Sequence, residues 1–386
     1  MTPEQQQDLQ RLGLLVKAAS ADCNLRCEYC FYLPKRELYP RSKRHAMPRE
    51  VLHRLIGDYM QMAGPNPSFG WQGGEPTTLG VEFFRRVVAV QAQKARPGQA
   101  IANGFQTNGV LIDDEWARLF ARYNFLVGLS LDGPEEIHNH YRHDARGKGS
   151  FEQVMRAAAT LERNGVEFNI LCMVTAYSAG RAHEIWDFFM AHGLRYLQFI
   201  PCVEFEPGTD RPAHFSCTPE QYGGFLCDAF DRWAEEEVPS VYCRTFNDLL
   251  AAYIGAPAPT CIFRAHCGDY LLVEHNGDVY PCDFFVEPQW LLGNLMETPL
   301  ADIALSPKFQ AFREAKSGAC GEACRRCPWL SLCYGGCQRH RPGAAPDAGR
   351  PNYFCTSYRM LFEHSQARLK ELAETVGERE SRTPQG

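Results

Sequence analysis

The chain has 386 residues, 45% of them apolar and 22% charged, with a formal net charge of −6. That is the profile of a soluble globular protein of two or three domains that needs no disulfides to hold its core. The acidic balance argues against a protein that grips nucleic-acid phosphates, no apolar run approaches the roughly 18 residues of a membrane span, and the polar start MTPEQQQDLQ lacks a signal-peptide core, so a cytoplasmic protein is expected.

Short β-rich runs occur at Leu14–Ala18, Phe69–Gln72, Gly104–Thr107, Phe125–Leu131, Val166–Thr175 and Tyr196–Pro201. Between them, apolar periodicity predicts helices near 48–62, 80–95, 112–123, 150–164 and 180–192, with another at 218–236. Gly165 and Gly193 fall where glycines end helices. This alternation predicts an α/β fold with a parallel sheet, either open or curled into a partial barrel. Polar residues crowd the C-terminal ends of the runs: Cys23 to Cys30, Gly73-Gly74-Glu75, Thr107-Asn108, Ser130 and Asp132, Thr175 and Tyr177, Cys202 and Glu204. Active sites of α/β barrels are built there, so the distribution favours a barrel-like site.

Past about residue 240 the alternation ends. Leu271–His275, Asn276-Gly277 and Asp278–Cys282 read as a β-hairpin on an Asn-Gly turn. The stretch 320–355 is cysteine-rich and aperiodic, 357–375 reads as one helix, and 376–386 reads as a disordered tail.

Seventeen cysteines, an odd number, make a disulfide framework a poor explanation and metal binding a better one. Cys172, Cys202, Cys217, Cys227 and Cys243 stand alone and read as small buried hydrophobes. Cys23-x3-Cys27-x2-Cys30 can hold three irons of a [4Fe–4S] cluster and leave the fourth open to a small ligand. The competing reading is a zinc knuckle completed by His45. Tyr29 before the third cysteine, and the position after the first strand, favour the cluster. Gln72-Gly73-Gly74-Glu75-Pro76 reads, taken alone, as a turn capping a helix. Cys320-x3-Cys324-x2-Cys327 repeats the spacing of the first loop but lacks its aromatic residue and its strand. By spacing alone, Cys261, Cys267, Cys282, Cys324, Cys327, Cys333, Cys337 and Cys355 suit two sites of four thiolates each, with zinc as the bland occupant. His138, His140 and His143 do not form an i, i+4 ligand pair, and Lys35 to Arg44 reads as a solvated loop.

The cysteine loop with Tyr29, followed by the Gly-Gly-Glu-Pro turn, resembles the signature of radical S-adenosylmethionine enzymes. The resemblance implies a partial (β/α)6 barrel core over residues 11–240. It also implies S-adenosylmethionine as cofactor, contacted by Tyr29, Gly73, Gly74, Glu75, Asn108, Ser130 and Arg142. Arg142 suits a carboxylate through its bidentate fork. The C-terminal set, with Gly335-Gly336 before Cys337, resembles the SPASM extension, here 241–375: a hairpin, cluster-binding loops and a terminal helix. That resemblance implies two auxiliary [4Fe–4S] clusters, three clusters in all. Cys261, Cys267, Cys282 and Cys337 would hold one, Cys324, Cys327, Cys333 and Cys355 the other, and Cys320 is left over. A cluster ligated only by thiolates is suited to moving electrons.

More narrowly, VGLSLDGPEEIHNHYR (127–142), LQFIPCVE (197–204) and YPCDFF (280–285) resemble anaerobic sulfatase-maturating enzymes, along residues 12 to 370. These convert a cysteine or serine of a sulfatase to Cα-formylglycine. The resemblance implies that a 5′-deoxyadenosyl radical takes a Cβ hydrogen, Asp283 accepts the heteroatom proton, and the second electron leaves through an auxiliary cluster. Tyr32 and Gln72 would line the substrate pocket. The implied partners are an unfolded sulfatase segment of the Cys/Ser-x-Pro-x-Arg type and an electron donor such as flavodoxin or ferredoxin, with no nucleic acid and no membrane. Two alternatives stay open: crosslinking or epimerisation of another ribosomal peptide, and a zinc-stapled binding protein without catalysis.

Overall fold

A computed structural model describes residues 2–40, 44–318, 320–341 and 351–382. In chain order the elements are α1 (Pro3–Arg11), β1 (Gly13–Lys17), α2 (Arg49–Met62), β2 (Ser68–Trp71), α3 (Val81–Lys94), β3 (Ala102–Thr107), α4 (Asp114–Arg122), β4 (Phe125–Ser130), α5 (Glu135–Tyr141) and α6 (Phe151–Arg163). There follow β5 (Phe168–Val174), α7 (Ala182–Ala191), β6 (Tyr196–Pro201), α8 (Pro219–Trp233), β7 (Tyr242–Cys243), α9 (Arg244–Tyr253), β8 (Tyr270–Glu274), β9 (Asp278–Tyr280) and β10 (Gly293–Asn294). The chain closes with α10 (Leu300–Ala304), α11 (Pro307–Gly318), α12 (Glu322–Arg325), α13 (Leu330–Cys333) and α14 (Cys355–Arg382). The runs predicted from periodicity are β1 to β6, and the predicted helices are α2, α3, α4, α6, α7, α8 and α14, with ends shifted by a few residues.

The chain divides into two units, each drawing on both sides of residue 240. The first comprises Met1–Leu131, His138–Asn169 and Gly268–Arg313; the second comprises Asp132–Ile137, Ile170–Cys267 and Glu314–Gly386. In the first unit the strands run β10-β9-β8-β1-β2-β3-β4. β8, β1, β2, β3 and β4 are parallel, and β9 and β10 close the edge antiparallel. Its core is aromatic: Phe84 meets Phe105 at 4.9 Å and Trp71 at 5.5 Å, and Phe120 meets Phe105 at 4.9 Å. The one polar atom of Trp71 is satisfied, because Nε1 donates to Asn103 Oδ1 at 2.9 Å. In the second unit β5, β6 and β7 are parallel, and α14 packs along α8.

Two elements differ from the sequence reading. The hairpin β8–β9 forms on Gly277 at φ 92°, but it is no appendage. β8 lies beside β1 in parallel, in register from Gly13↔Tyr270 to Lys17↔Glu274, and so extends the sheet. The tail is the second correction: α14 continues through Arg382, so 376–382 are helical, and 383–386 lie outside the described residues. Glu, Lys and Arg are good helix formers, and a helix already anchored by packing propagates through them cheaply. No helix among the described residues is long and apolar enough to cross a membrane.

Candidate active site

In the first unit the loop after β1 carries Cys23, Cys27 and Cys30, none of them in a disulfide. Its turns are tight, with the Cys30 amide donating to Cys27 O at 3.1 Å. The loop docks on the segment after α5: Arg26 N donates to His143 O at 2.7 Å, and Glu28 N to Tyr141 O at 3.2 Å. That docking brings the Arg142 guanidinium 5.4 Å from the centre of the Tyr29 ring, with Tyr141 edge-on to the same ring at 5.9 Å. Burial, then the Glu75 charge, pushes the Cys23 thiol up to about 12, and Cys27 and Cys30 add to the effect. A thiol so held ionises readily only beside a metal or another cation, so the donor set fits an iron–sulfur cluster better than a reactive surface thiol. His45 is not available as a further ligand. Its Nδ1 faces Asp22 Oδ1 at 3.1 Å and its Nε2 faces Tyr39 O at 2.8 Å.

The Gly-Gly-Glu-Pro turn after β2 lies against this loop. Gly73 and Gly74 have φ of 89° and 51°. A Cβ on Gly74 would stand 2.2 Å from Asp22 O, and one on Gly73 would stand 2.6 Å from the Lys17 side chain. Both conformation and close approach therefore require glycine. Glu75, buried, accepts from Thr77 N at 3.0 Å, Thr77 Oγ1 at 2.7 Å, Thr107 Oγ1 at 2.8 Å and Asn108 N at 2.7 Å. Burial raises its carboxyl, and those donors pull it back. The carboxylate thus ties the β2 turn to the end of β3. Asn108 Nδ2 in turn donates to Asn24 Oδ1 in the cysteine loop at 2.8 Å. Ser130 ends β4 and is buried, but its hydroxyl makes no hydrogen bond to these residues.

Tyr32, Gln72 and Asp283 come together in the same unit. Asp283 is 5% exposed and starts a short 3-10 turn beyond β9. The Tyr32 hydroxyl donates to Asp283 Oδ2. Gln72 Nε2 donates to the same oxygen at 2.8 Å and to the Tyr32 hydroxyl at 3.1 Å. The other oxygen, Oδ1, is buried with no hydrogen-bond partner among the described residues. Burial pushes the Asp283 carboxyl above its ordinary range; the Lys17 charge, the Tyr32 hydrogen bond and the Lys35 charge pull it down. Desolvation and Asp283 push Tyr32 well up, so it stays a proton donor.

Three residues of this site were invisible to sequence reasoning. Lys17 Nζ stands 4.7 Å from the centre of the Tyr32 ring and 2.9 Å from Glu274 Oε1, with both charged side chains fully buried. The only signal was a single charge at the end of each of two apolar runs, GLLVK and YLLVE. Lys35, read as part of a solvated loop, instead donates to Phe284 O at 3.4 Å and Val286 O at 3.2 Å. Carbonyls of the 3-10 turn need donors, and a lysine supplies them while keeping its charge near Asp283. Arg41, Ser42 and Lys43 lie outside the described residues.

The other cysteines differ in their surroundings. Cys172, Cys202, Cys217 and Cys243 are buried as small hydrophobes, while Cys227 is half-buried. In the second unit Cys324, Cys327, Cys333 and Cys355 line one cavity of about 440 Å³ beside Trp329 and Tyr358. They lie close enough for their charges to act on one another. Cys261, Cys267 and Cys337 act together on Lys316. Cys320 is buried, its Sγ 3.8 Å from Lys316 O, and its charge acts on Cys324. In the first unit the Cys282 sulfur lies 3.2 Å from the Tyr270 hydroxyl.

Comparison with known proteins places this arrangement. Residues 19–179 match the model of the radical SAM superfamily, and 265–328 match an iron–sulfur cluster-binding domain, SPASM. The chain is 36% identical over 370 residues to a serine-type anaerobic sulfatase-maturating enzyme of Bacteroides thetaiotaomicron, covering 92% of this chain and 89% of that one. It is 37% identical to a cysteine-type anaerobic sulfatase-maturating enzyme of Clostridium perfringens, covering 95% of this chain and 99% of the relative. A solved structure described as native anSMEcpe with bound AdoMet and Cp18Cys peptide superposes with a TM-score of 0.88 at 37% identity, over 95% of this chain and 99% of that one. Streptococcus suis SuiB, bound to its precursor peptide, shares the fold at 18% identity, a TM-score of 0.64, and coverage of 91% of this chain and 78% of that one.

Proposed function

Because this chain belongs to the anaerobic sulfatase-maturating enzymes of the radical S-adenosylmethionine superfamily, we propose that it oxidises a peptidyl cysteine or serine of a sulfatase to Cα-formylglycine. The observation that carries the chemistry is the asymmetric clamp on Asp283. Two donors hold Oδ2, and Oδ1 stays buried and unpartnered. A carboxylate so oriented presents one free oxygen to a substrate thiol or hydroxyl and takes its proton. Tyr32 and Gln72 orient the base, and Lys17, over the Tyr32 ring, acts on Asp283 through its charge.

Cys23, Cys27 and Cys30 would hold the cofactor's cluster, with Gly73, Gly74, Glu75, Asn108, Ser130, Arg142 and Tyr29 around the S-adenosylmethionine. When bound, these two groups supply the one-electron chemistry that removes a hydrogen atom from the substrate Cβ. Cys324, Cys327, Cys333 and Cys355 would serve one auxiliary [4Fe–4S] cluster, and the remaining cysteines assigned from sequence another, making three clusters. In this reading residues 11–240 are the catalytic core and 241–375 the cluster-binding extension. The substrate enters as an extended segment of the Cys/Ser-x-Pro-x-Arg type, a flavodoxin or ferredoxin supplies the reducing electron, and the work is done in the cytoplasm, where thiols stay reduced.

The test is anaerobic. Protein reconstituted with iron and sulfide receives S-adenosylmethionine, a reductant and one of two peptides, carrying Cys-x-Pro-x-Arg or Ser-x-Pro-x-Arg. Mass spectrometry with aldehyde trapping reads the product. An aldehyde on either peptide establishes the maturase. Cofactor cleavage with both peptides unchanged would instead move the substrate to another peptide class.

A further inference from the structure

We infer that Lys316 is the buried counter-ion of the auxiliary iron–sulfur cluster assigned to Cys261, Cys267 and Cys337, and that its charge raises that cluster's reduction potential so that it accepts the electron released by the substrate. The inference rests on the reading of Cys261, Cys267 and Cys337 as cluster ligands.

Lys316 lies near the end of α11, completely buried. Its Nζ donates to Cys261 O at 2.6 Å and to Ile262 O at 3.1 Å, the first carbonyls of the 3-10 turn Cys261–Phe263. No carboxylate pairs with it among the described residues. A buried ammonium is costly unless an anion or a full set of acceptors compensates it. Two carbonyl dipoles are partial compensation. The anionic groups that act on Lys316 are Cys267, Cys261 and Cys337, in that order. Burial, with Arg341, holds the ammonium below its ordinary value, and those three sulfurs oppose that without offsetting it. Bound to iron, the three are permanent thiolates, and a cubane ligated by thiolates carries net negative charge. The missing half of the ion pair is then the cluster itself. Arg341 adds a second cation nearby, with Nη2 donating to Lys316 O at 3.3 Å and to Gly335 O at 3.1 Å.

The redox balance gives this charge a task. Oxidising the substrate thiol or alcohol to the C=S or C=O level removes one hydrogen atom from Cβ, one proton from the heteroatom and one electron. The hydrogen atom goes to the adenosyl fragment and the proton to Asp283. The electron reduces the auxiliary cluster by one unit, making it more negative. A fixed cation inside the protein, where screening is weak, stabilises the reduced form more than the oxidised one and so raises the potential.

The experiment uses the full chain with Cys23, Cys27 and Cys30 changed to Ala, so that only auxiliary signals remain, reconstituted with iron and sulfide. Potentiometric titration followed by electron paramagnetic resonance compares Lys316, Lys316→Gln and Lys316→Arg. Gln keeps a donor for Cys261 O without the charge, and Arg keeps the charge. The expected result is a lower midpoint potential in Lys316→Gln and a value near the parent in Lys316→Arg, at equal iron and sulfide content. Loss of a cluster in the Gln variant alone also supports the counter-ion. Equal potentials in all three proteins overturn the inference, as does cluster loss in both variants, which would make Lys316 a fold residue only. Absence of iron and sulfide from the parent would instead fail the cluster reading beneath it. In the intact enzyme, Lys316→Gln should keep cleaving S-adenosylmethionine while forming less aldehyde per 5′-deoxyadenosine.

Discussion

Each unit buries a lysine, and the two are compensated differently. Lys17 meets Glu274 at 2.9 Å, so the first unit balances its buried charge with its own carboxylate. Lys316 meets two carbonyls and three cysteines. The first site is therefore preorganised by protein alone, with Tyr32, Gln72 and Asp283 in place above a neutral ion pair. The second draws its balance from whatever its cysteines hold. An acid–base site needs fixed geometry before substrate arrives, whereas an electron site needs a charge that matters when its redox state changes.

The hardest blow to the first unit is Cys27→Ala. It should reduce S-adenosylmethionine cleavage to background, measured as 5′-deoxyadenosine, while the aromatic core and the Lys17–Glu274 pair keep the unit folded by near-ultraviolet circular dichroism. Surviving cleavage would show that this cysteine loop is not the cofactor's cluster site. Next in size is Asp283→Asn. Cofactor cleavage should persist, and aldehyde formation should fall by about 10²–10⁴-fold, the usual worth of a positioned general base. An unchanged aldehyde rate would remove Asp283 from the chemistry.

The third prediction concerns stability rather than turnover. Glu274→Gln leaves Lys17 buried without its anion, which typically costs about 3–5 kcal/mol. Burial would raise the Glu274 carboxyl, but the Lys17 charge, with His275 and Ser20, outweighs it and holds the group at about 2 instead of the ordinary 4.5. A carboxyl with a depressed value stabilises the fold above its unfolded value and loses that contribution as it protonates. The stability gap between wild type and Glu274→Gln should thus be widest above pH 4.5 and close as the pH falls toward 2. Denaturant midpoints at several pH values would measure it, and a gap independent of pH would show that the pair contributes no linked stability.

What the sequence revealed follows the range of the interactions involved. Cys23, Cys27, Cys30 and the Gly-Gly-Glu-Pro turn were legible because their chemistry is written in spacing within one loop. That Gly73 and Gly74 are also fixed by close approach of Lys17 and Asp22 was not legible, because those neighbours lie far away in sequence. Lys17 and Glu274 were not legible, because only the register of β1 with β8 brings residues 17 and 274 together, and periodicity carries no register. Their isolated charges in apolar runs were the one usable sign. Lys35 was misread for a related reason: basic residues in a loop look solvated until the carbonyls they cap are known. His45 shows the converse. Its sequence position suited a ligand, yet Asp22 and Tyr39 occupy both ring nitrogens.

The smallest effect tests the finest part of the contrast, the clamp on Asp283. Tyr32→Phe keeps the ring above Lys17 and removes one of two donors to Oδ2. A hydrogen bond to a charged group is worth roughly 1.5–3 kcal/mol, but Gln72 remains and relaxes toward the vacated lone pair, so the loss should lie at or below the low end, about tenfold in aldehyde formation. Because the hydroxyl hydrogen is given to Asp283, the change should fall on kcat and leave KM for the peptide near its wild-type value. Gln72→Leu with Tyr32→Phe should cost more than the two single changes combined, since only the pair leaves both oxygens of a buried carboxylate without a donor. If the double variant instead equals the product of the singles, Tyr32 and Gln72 act independently and the asymmetric clamp is not what makes Oδ1 the base.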